Sequence, residues 1–408
     1  MRYATTSIYI DYLIIFILIF TSRETIQFGT TQNETMLIIG YIAPLFVLVL
    51  LLIRKGHFRN YNKSSFDLLI ILSTCSLLTM FLNFDINVKY GYEILLFLLS
   101  YHIANQLEFN KFAKIYCDIL QLLAFFAILA TVIYFVASPI FSYFPIIENK
   151  SHLRYYNLFL SVIPVDRFGV IYRLYGIFRE PGVAIIFFNL ALAFEMFLFN
   201  SKKLIRVFLL LLAIVLSYST AGYIVSFLII ACYLLYNQKK HKAVTLFASI
   251  FFVVLVVIIS QSDYFNTMVF GKLTDEDSSS RGARLGSITN NLNLIIENPI
   301  GFLWGLGYQF VEDAFVAIGR MSFVGESHNT NTILKELSVH GIFFTIYLIT
   351  SIYQFVRYSF LLKGLMLLAV FSTILIAFGN EDLTSDILLF LLVFYSRVNK
   401  NYVGEFNK

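Results

Sequence analysis

Apolar runs of about 15–20 residues follow one another from Ile8 to Tyr395, long enough for a helix to cross the hydrocarbon core of a bilayer. Spans are expected at 7–21, 36–53, 66–82, 91–107, 116–138, 183–199, 204–219, 221–236, 243–260, 341–356, 364–379 and 383–396. Glu93, His102 and Asn105 interrupt the fourth, and a Ser-Thr-Ala-Gly turn at Ser219–Gly222 joins the seventh to the eighth. Two stretches, about Pro139–Gly182 and about Gln261–His340, are too long to be connectors. They hold five of the six prolines, and loops of that length in a compact protein usually carry function. The pattern predicts an all-α polytopic membrane protein with about 12 transmembrane helices, a single membrane domain over 1–408 with external loops at 139–182 and 261–340.

Composition agrees. The 408 residues are 59% hydrophobic and 13% charged, whereas a soluble domain carries roughly 25% charge. The net charge of +5 needs no nucleic acid to explain it, because the short loops supply it. Arg54, Lys55, Arg59 and Lys63, then Lys202, Lys203 and Arg206, then Lys239, Lys240 and Lys242, then Arg397, Lys400 and Lys408 fall on one side if both termini are cytoplasmic. That side holds 12 Lys and 6 Arg, while the opposite side inverts the ratio to 4 Lys and 8 Arg. Arginine gathered outside suits bidentate recognition of phosphate or carboxylate. The N-terminal run lacks a small-x-small cleavage site and reads as a retained first span. Cys75, Cys117 and Cys232 lie in or beside apolar runs and imply no disulfide framework, and the six scattered His imply neither metal nor cofactor.

Three external segments are candidates for chemistry. In the first, Arg173 and Arg179 precede Glu180-Pro181-Gly182. Pro181 suits a first helical position, so both guanidinium groups stand near a helix N-terminus suited to anions. An Arg–Glu pair that merely seats the helix explains the same residues. In the second, Ser280-Arg281-Gly282-Ala283-Arg284 opens a helix running to Glu297. Two Arg three apart share a face and can straddle a diphosphate, or can be a solvated basic helix end. Asn298-Pro299, Gly301, Gly305 and Gly307 follow without a preceding strand, so the glycines serve turns rather than a nucleotide loop. In the third, Ser327-His328-Asn329 leads a helix into the tenth span, with Ser327 or Asn329 as its cap. His328 there can act as acid or base near neutral pH, or be a hydrogen-bonded structural residue. Charges within the spans are few, Asp11, Glu93, Glu195 and Asp386, which argues against an ion-coupled transporter.

Taken together, Arg173-x-x-Gly176-x-Phe178-x-Glu180-Pro181, Ser280-Arg281 with Glu297-Asn298-Pro299 and Gly305-x-Gly307, and Ser327-His328-Asn329 leading to Gly341 resemble bacterial Wzy-type O-antigen and capsule repeat-unit polymerases, and more distantly the O-antigen ligases. The interval from Asn329 to Gly341 is about two residues longer than in the ligases, which bears on the role of His328. The resemblance implies a class C type membrane glycosyltransferase fold and a polyprenyl-diphosphate-linked donor, with no nucleotide sugar. It makes Arg173, Arg179, Arg281, Arg284 and Arg320 the expected diphosphate ligands and His328 and Glu180 the expected catalytic groups. Polyprenyl-diphosphate-linked oligosaccharides, the lipid bilayer and a chain-length regulator are the implied partners, and the bacterial inner membrane the implied location. A ligase acting on lipid A core and a lipid-linked oligosaccharide transporter or flippase are the alternatives.

Overall fold

The computed structural model describes residues 2–53, 62–165, 173–199, 203–236, 250, 279–321 and 329–406. Its helices are α1 (Arg2–Phe20), α2 (Glu34–Ile53), α3 (Lys63–Leu82), α4 (Val88–Gln106), α5 (Phe109–Ala137), α6 (Pro181–Phe197), α7 (Leu204–Leu216), α8 (Thr220–Tyr236), α9 (Ser279–Glu297), α10 (Pro299–Trp304), α11 (Tyr308–Met321), α12 (Thr332–Ser359), α13 (Gly364–Gly379) and α14 (Ile387–Phe406). Every expected span except 243–260 corresponds to one of them, and that one lies outside the described residues apart from Ile250. Among the described residues four helices, counting α5 with the turn that follows it, are long and apolar enough to cross a membrane: α2, α3, α5 and α12. The 20 residues of α2 rise roughly 30 Å, the thickness of the hydrocarbon core. Its outward residues are apolar too, among them Ile38, Ile42, Phe46, Val49 and Ile53, as expected where the solvent is lipid.

The chain divides into two compact units, residues 1–47 with 110–269 and residues 48–109 with 270–408. In the first, α6 is buried along its whole length and packs against α7 and α8. An apolar helix interrupted only by Asn189 and Glu195 can be buried on every side if those two are satisfied. Asn189 donates to the Gly222 carbonyl, and Glu195 accepts from Gln121 and Arg206. Gly222 lets the helices approach, since a Cβ there would lie 2.7 Å from Ile185 Cδ1.

The segment between α5 and α6 corrects the purely helical expectation. Strands β1 (Ile146–Glu148), β2 (Arg154–Asn157) and β3 (Val162–Pro164) form an antiparallel meander, with Tyr155 opposite Ile147 and Pro164. Tyr155 and Val162 pack with Ile26 and Tyr175, so the little sheet has its own core. Three-residue strands carry too little alternation to stand out beside the long apolar runs.

In the second unit α14 packs against α12 and α4. Phe97 meets Phe390 edge-on at 4.7 Å, and the Tyr395 hydroxyl donates to the Leu107 carbonyl. Two polar residues of α4 bond to neighbours on α3: Ser76 donates to Glu93, and Asn105 donates to Ser65.

Candidate functional site

Pro181 is the first residue of α6, as its spacing predicts, and Gly176 turns the approaching chain at φ 61°. The strand-like stretch before it is fastened to the α1–α2 connection, where Thr25 bridges Phe178 and the Arg179 N–H donates to the Glu24 carbonyl. The Arg179 side chain returns to the same residue, its Nε 2.7 Å from Glu24 Oε2. The expected Arg–Glu pair therefore exists with a different acid. Glu180 is the exposed N-cap residue of α6 and makes no side-chain cap. Arg173 donates from Nε and Nη2 to the carbonyls of Ser217 and Tyr218, just past the end of α7. A cation belongs at that helix end, where carbonyls lack intrahelical partners. Tyr218 takes φ 48° in this turn, which spans Ser217 to Ser219 rather than the expected Ser219–Gly222, because α8 already begins at Thr220.

Helix α9 runs from Ser279 to Glu297, as expected, and carries Arg281 and Arg284 three residues apart. Arg284 is one-third exposed and lies 3.7 Å from Glu381, an ionic contact too long for a hydrogen bond. Arg320 is on α11; its side chain and that of Arg281 lie outside the described residues, as does His328 altogether. Asn329 does not cap the third segment, and Ser327 lies outside the described residues. Helix α12 starts at Thr332, and Asn331 is its cap, accepting from the Leu334 N–H at 2.9 Å. Asn329 instead joins a polar knot, accepting from Ser287 and Asn291 and donating back to Asn291, which also accepts from Ser338.

The head of α12 is held on two sides. On one, Thr332 donates to the Glu381 carbonyl and Lys335 reaches Asp382 at 2.6 Å. Sequence reasoning passed over Glu381 and Asp382, although an acidic pair in so short a loop is a readable signal. On the other side α12 breaks at Gly341, φ 81° and ψ −178°. Leu306 and Gly307 donate their N–H groups to the carbonyls of Ser338 and Val339. Gly305 and Gly341 meet so closely that a Cβ on the first would lie 2.0 Å from the Val339 oxygen, and on the second 2.4 Å from the Leu303 oxygen. The Gly305-x-Gly307 and Gly341 elements are thus two halves of one contact.

Beside that contact lies a group the scattered histidines did not reveal. Glu93 on α4 and Glu336 and His340 on the α12 head converge, each at most 2% exposed. His340 Nε2 stands 3.1 Å from Glu93, 3.5 Å from Glu336 and 3.4 Å from the Tyr308 hydroxyl. Burial, then Glu93 and Glu336, push the Tyr308 phenol well above its ordinary pKa, so it stays protonated. Glu336 and His340 sit at i and i+4, a spacing open to sequence reading; Glu93, from another helix, is not.

Residues 205–349 match the family described as O-antigen ligase. An O-antigen polymerase of Salmonella muenchen is 34% identical over 125 residues, covering 29% of this chain and 31% of that protein, so the match spans about a third of the relative's length. The chain is thus similar, over about a third of its length, to O-antigen ligases and an O-antigen polymerase. No solved structure matches. The stretch matched by the family contains Arg281, Arg284, Arg320 and His328, together with Glu336 and His340. Arg173, Arg179 and Glu180 fall outside it.

Proposed function

We propose that this protein is a glycan polymerase of class C type membrane glycosyltransferase fold, joining polyprenyl-diphosphate-linked repeat units at the outer face of the bacterial cytoplasmic membrane. The hydroxyl at the non-reducing end of one lipid-linked oligosaccharide attacks the anomeric carbon of a chain held on a second carrier. The new C–O bond forms as the bond to the diphosphate breaks, the diphosphate leaves with the electron pair, and the hydroxyl proton passes to a base, His328 or Glu180. Guanidinium groups neutralise the leaving diphosphate in the role a metal fills with nucleotide sugars. A chain-length regulator is the expected protein partner.

The observation that carries this reading is Arg284. It lies with Arg281 on α9 inside the family-matched stretch, one-third exposed and opposed by a carboxylate only at 3.7 Å. Such an arginine can exchange a loose partner for a phosphate. Arg173 and Arg179 are engaged with α7 carbonyls and with Glu24, so their contribution is to hold the entrance of α6. Arg320 completes the set of diphosphate ligands in this reading. A ligase that hands the finished glycan to lipid A core is the second reading, favoured by the description of the matching family.

Product length separates them. Purified protein in lipid, given one defined diphosphate-linked repeat unit, is expected to yield a ladder on a gel. Transfer that appears only after lipid A core is added makes it a ligase. Absence of any new glycosidic bond, with the lipid-linked oligosaccharide nevertheless crossing the bilayer, makes it a transporter.

A further inference from the structure

Glu93, Glu336 and His340 form a compact, buried, acidic group with no lysine or arginine ion-paired to either glutamate among the described residues. Their ligand atoms lie within 4.8 Å of one another. Close as they are, they do not satisfy each other. Among the described residues Glu93 Oε1, both carboxylate oxygens of Glu336 and Nδ1 of His340 have no hydrogen-bond partner, and the one hydrogen bond at Nε2 of His340 is to Tyr308 at 3.4 Å. Two carboxylates this deeply buried, with unpartnered oxygens, carry charge that no ion-paired lysine or arginine among the described residues offsets, and an uncompensated buried charge is expensive.

We propose that Glu93, Glu336 and His340 bind a divalent transition-metal cation, with zinc as the fitting ion and the Tyr308 hydroxyl beside the remaining position. Zinc takes nitrogen and oxygen ligands at about 2.0–2.2 Å, which sets ligands roughly 3.3 Å apart around a tetrahedron. The observed His340–Glu93 and His340–Glu336 separations are 3.1 and 3.5 Å. One imidazole with two carboxylates suits zinc or manganese, whereas magnesium prefers an all-oxygen, largely hydrated octahedral shell. The ion tethers α4 to the short head of α12, on the N-terminal side of the Gly341 break, and so fixes the direction in which that head leaves the span. Being buried, it has no contact with glycan, and the proposal stands whether the enzyme polymerises or ligates.

The test uses full-length protein in lipid nanodiscs, stripped with a chelator and dialysed against zinc, manganese or magnesium. Metal content is measured by mass spectrometry and stability by thermal unfolding. Wild type is expected to retain about one zinc per chain and to melt several degrees higher with zinc than after stripping. Magnesium is expected to do neither. E336Q and H340Q are expected to weaken zinc retention on the order of 100-fold or more, since even changes outside the ligand shell cost roughly 10–100-fold. D313N, at an exposed carboxylate, is expected to bind as wild type. Folded wild-type protein that takes up no zinc overturns the proposal. So does uptake that E336Q and H340Q leave unchanged, or a glutamine variant that raises stability with no response to zinc, the mark of a carboxyl kept neutral by its own proton.

Discussion

Two arginines of similar appearance in the sequence have different surroundings, and the difference is measurable. Arg179 is paired at 2.7 Å with a Glu24 that is 6% exposed. Glu24→Gln removes the charge the guanidinium was ordered against, and hydrogen bonds to charged groups are worth about 1.5–3 kcal/mol. Thermal or denaturant unfolding of the purified variant is expected to show a loss of that size; a change near zero would mean the pair is not formed. Arg284 keeps its partner only at 3.7 Å. Arg284→Lys retains the charge but loses the fork, so unfolding is expected to stay at wild type while polymer formation falls on the order of 100-fold. Turnover equal to wild type would remove Arg284 from the diphosphate site. The sequence could rank neither residue above the other, because each depends on an acid distant in the chain, 155 residues before Arg179 in one case.

At the scale of elements, the α10–α11 connection and the break in α12 form one clasp. Gly305 takes φ 84° and ψ 163°, and Gly341 takes φ 81° and ψ −178°. This region is essentially reserved for glycine, and other residues there cost on the order of 1–3 kcal/mol before any clash. Gly305→Ala and Gly341→Ala add a Cβ against backbone oxygen at 2.0 and 2.4 Å, so both are expected to cost more than that. Size-exclusion chromatography with fluorescence detection should show loss of the monodisperse peak. Gly91→Ala, in α4 with nothing near its Cβ, is expected to be neutral or to stabilise by about 0.5–1 kcal/mol. The sequence showed Gly305 and Gly307 as turn-formers and Gly341 at the head of a span, but not that Gly305 and Gly341 face each other. Likewise the start of α12 was legible to within a few residues, yet the capping residue was not. Ser327, Asn329 and Asn331 are chemically equivalent candidates, and the choice follows from the knot that Ser287 and Asn291 tie around Asn329.

For the whole molecule, what the sequence stated most clearly was where helices run, because apolar runs of bilayer length need no tertiary information. What it left open was which polar residues meet, since Glu93 joins Glu336 and His340 only through the packing of helices remote in the chain. Orientation was read from the same pattern, and labelling can test it. The Lys-rich loops, Lys202–Lys203 and Lys239–Lys242, should lie in the cytoplasm, and the Arg-bearing segment between α5 and α6 outside it. None of the three cysteines lies in these segments, so single cysteines can be added to a Cys-less background at Ser151 and at Gln238. Ser151 sits in the exposed turn between β1 and β2, where a thiol should react with a membrane-impermeant maleimide on intact spheroplasts. The thiol at 238 should react only after permeabilisation. A reversed pattern would put the arginines on the side where nucleotide sugars rather than exported lipid-linked glycans are found, and the polymerase proposal would fail with the topology. Equal labelling of both sites before permeabilisation would mean leaky spheroplasts, which a cytoplasmic marker protein in the same preparation identifies.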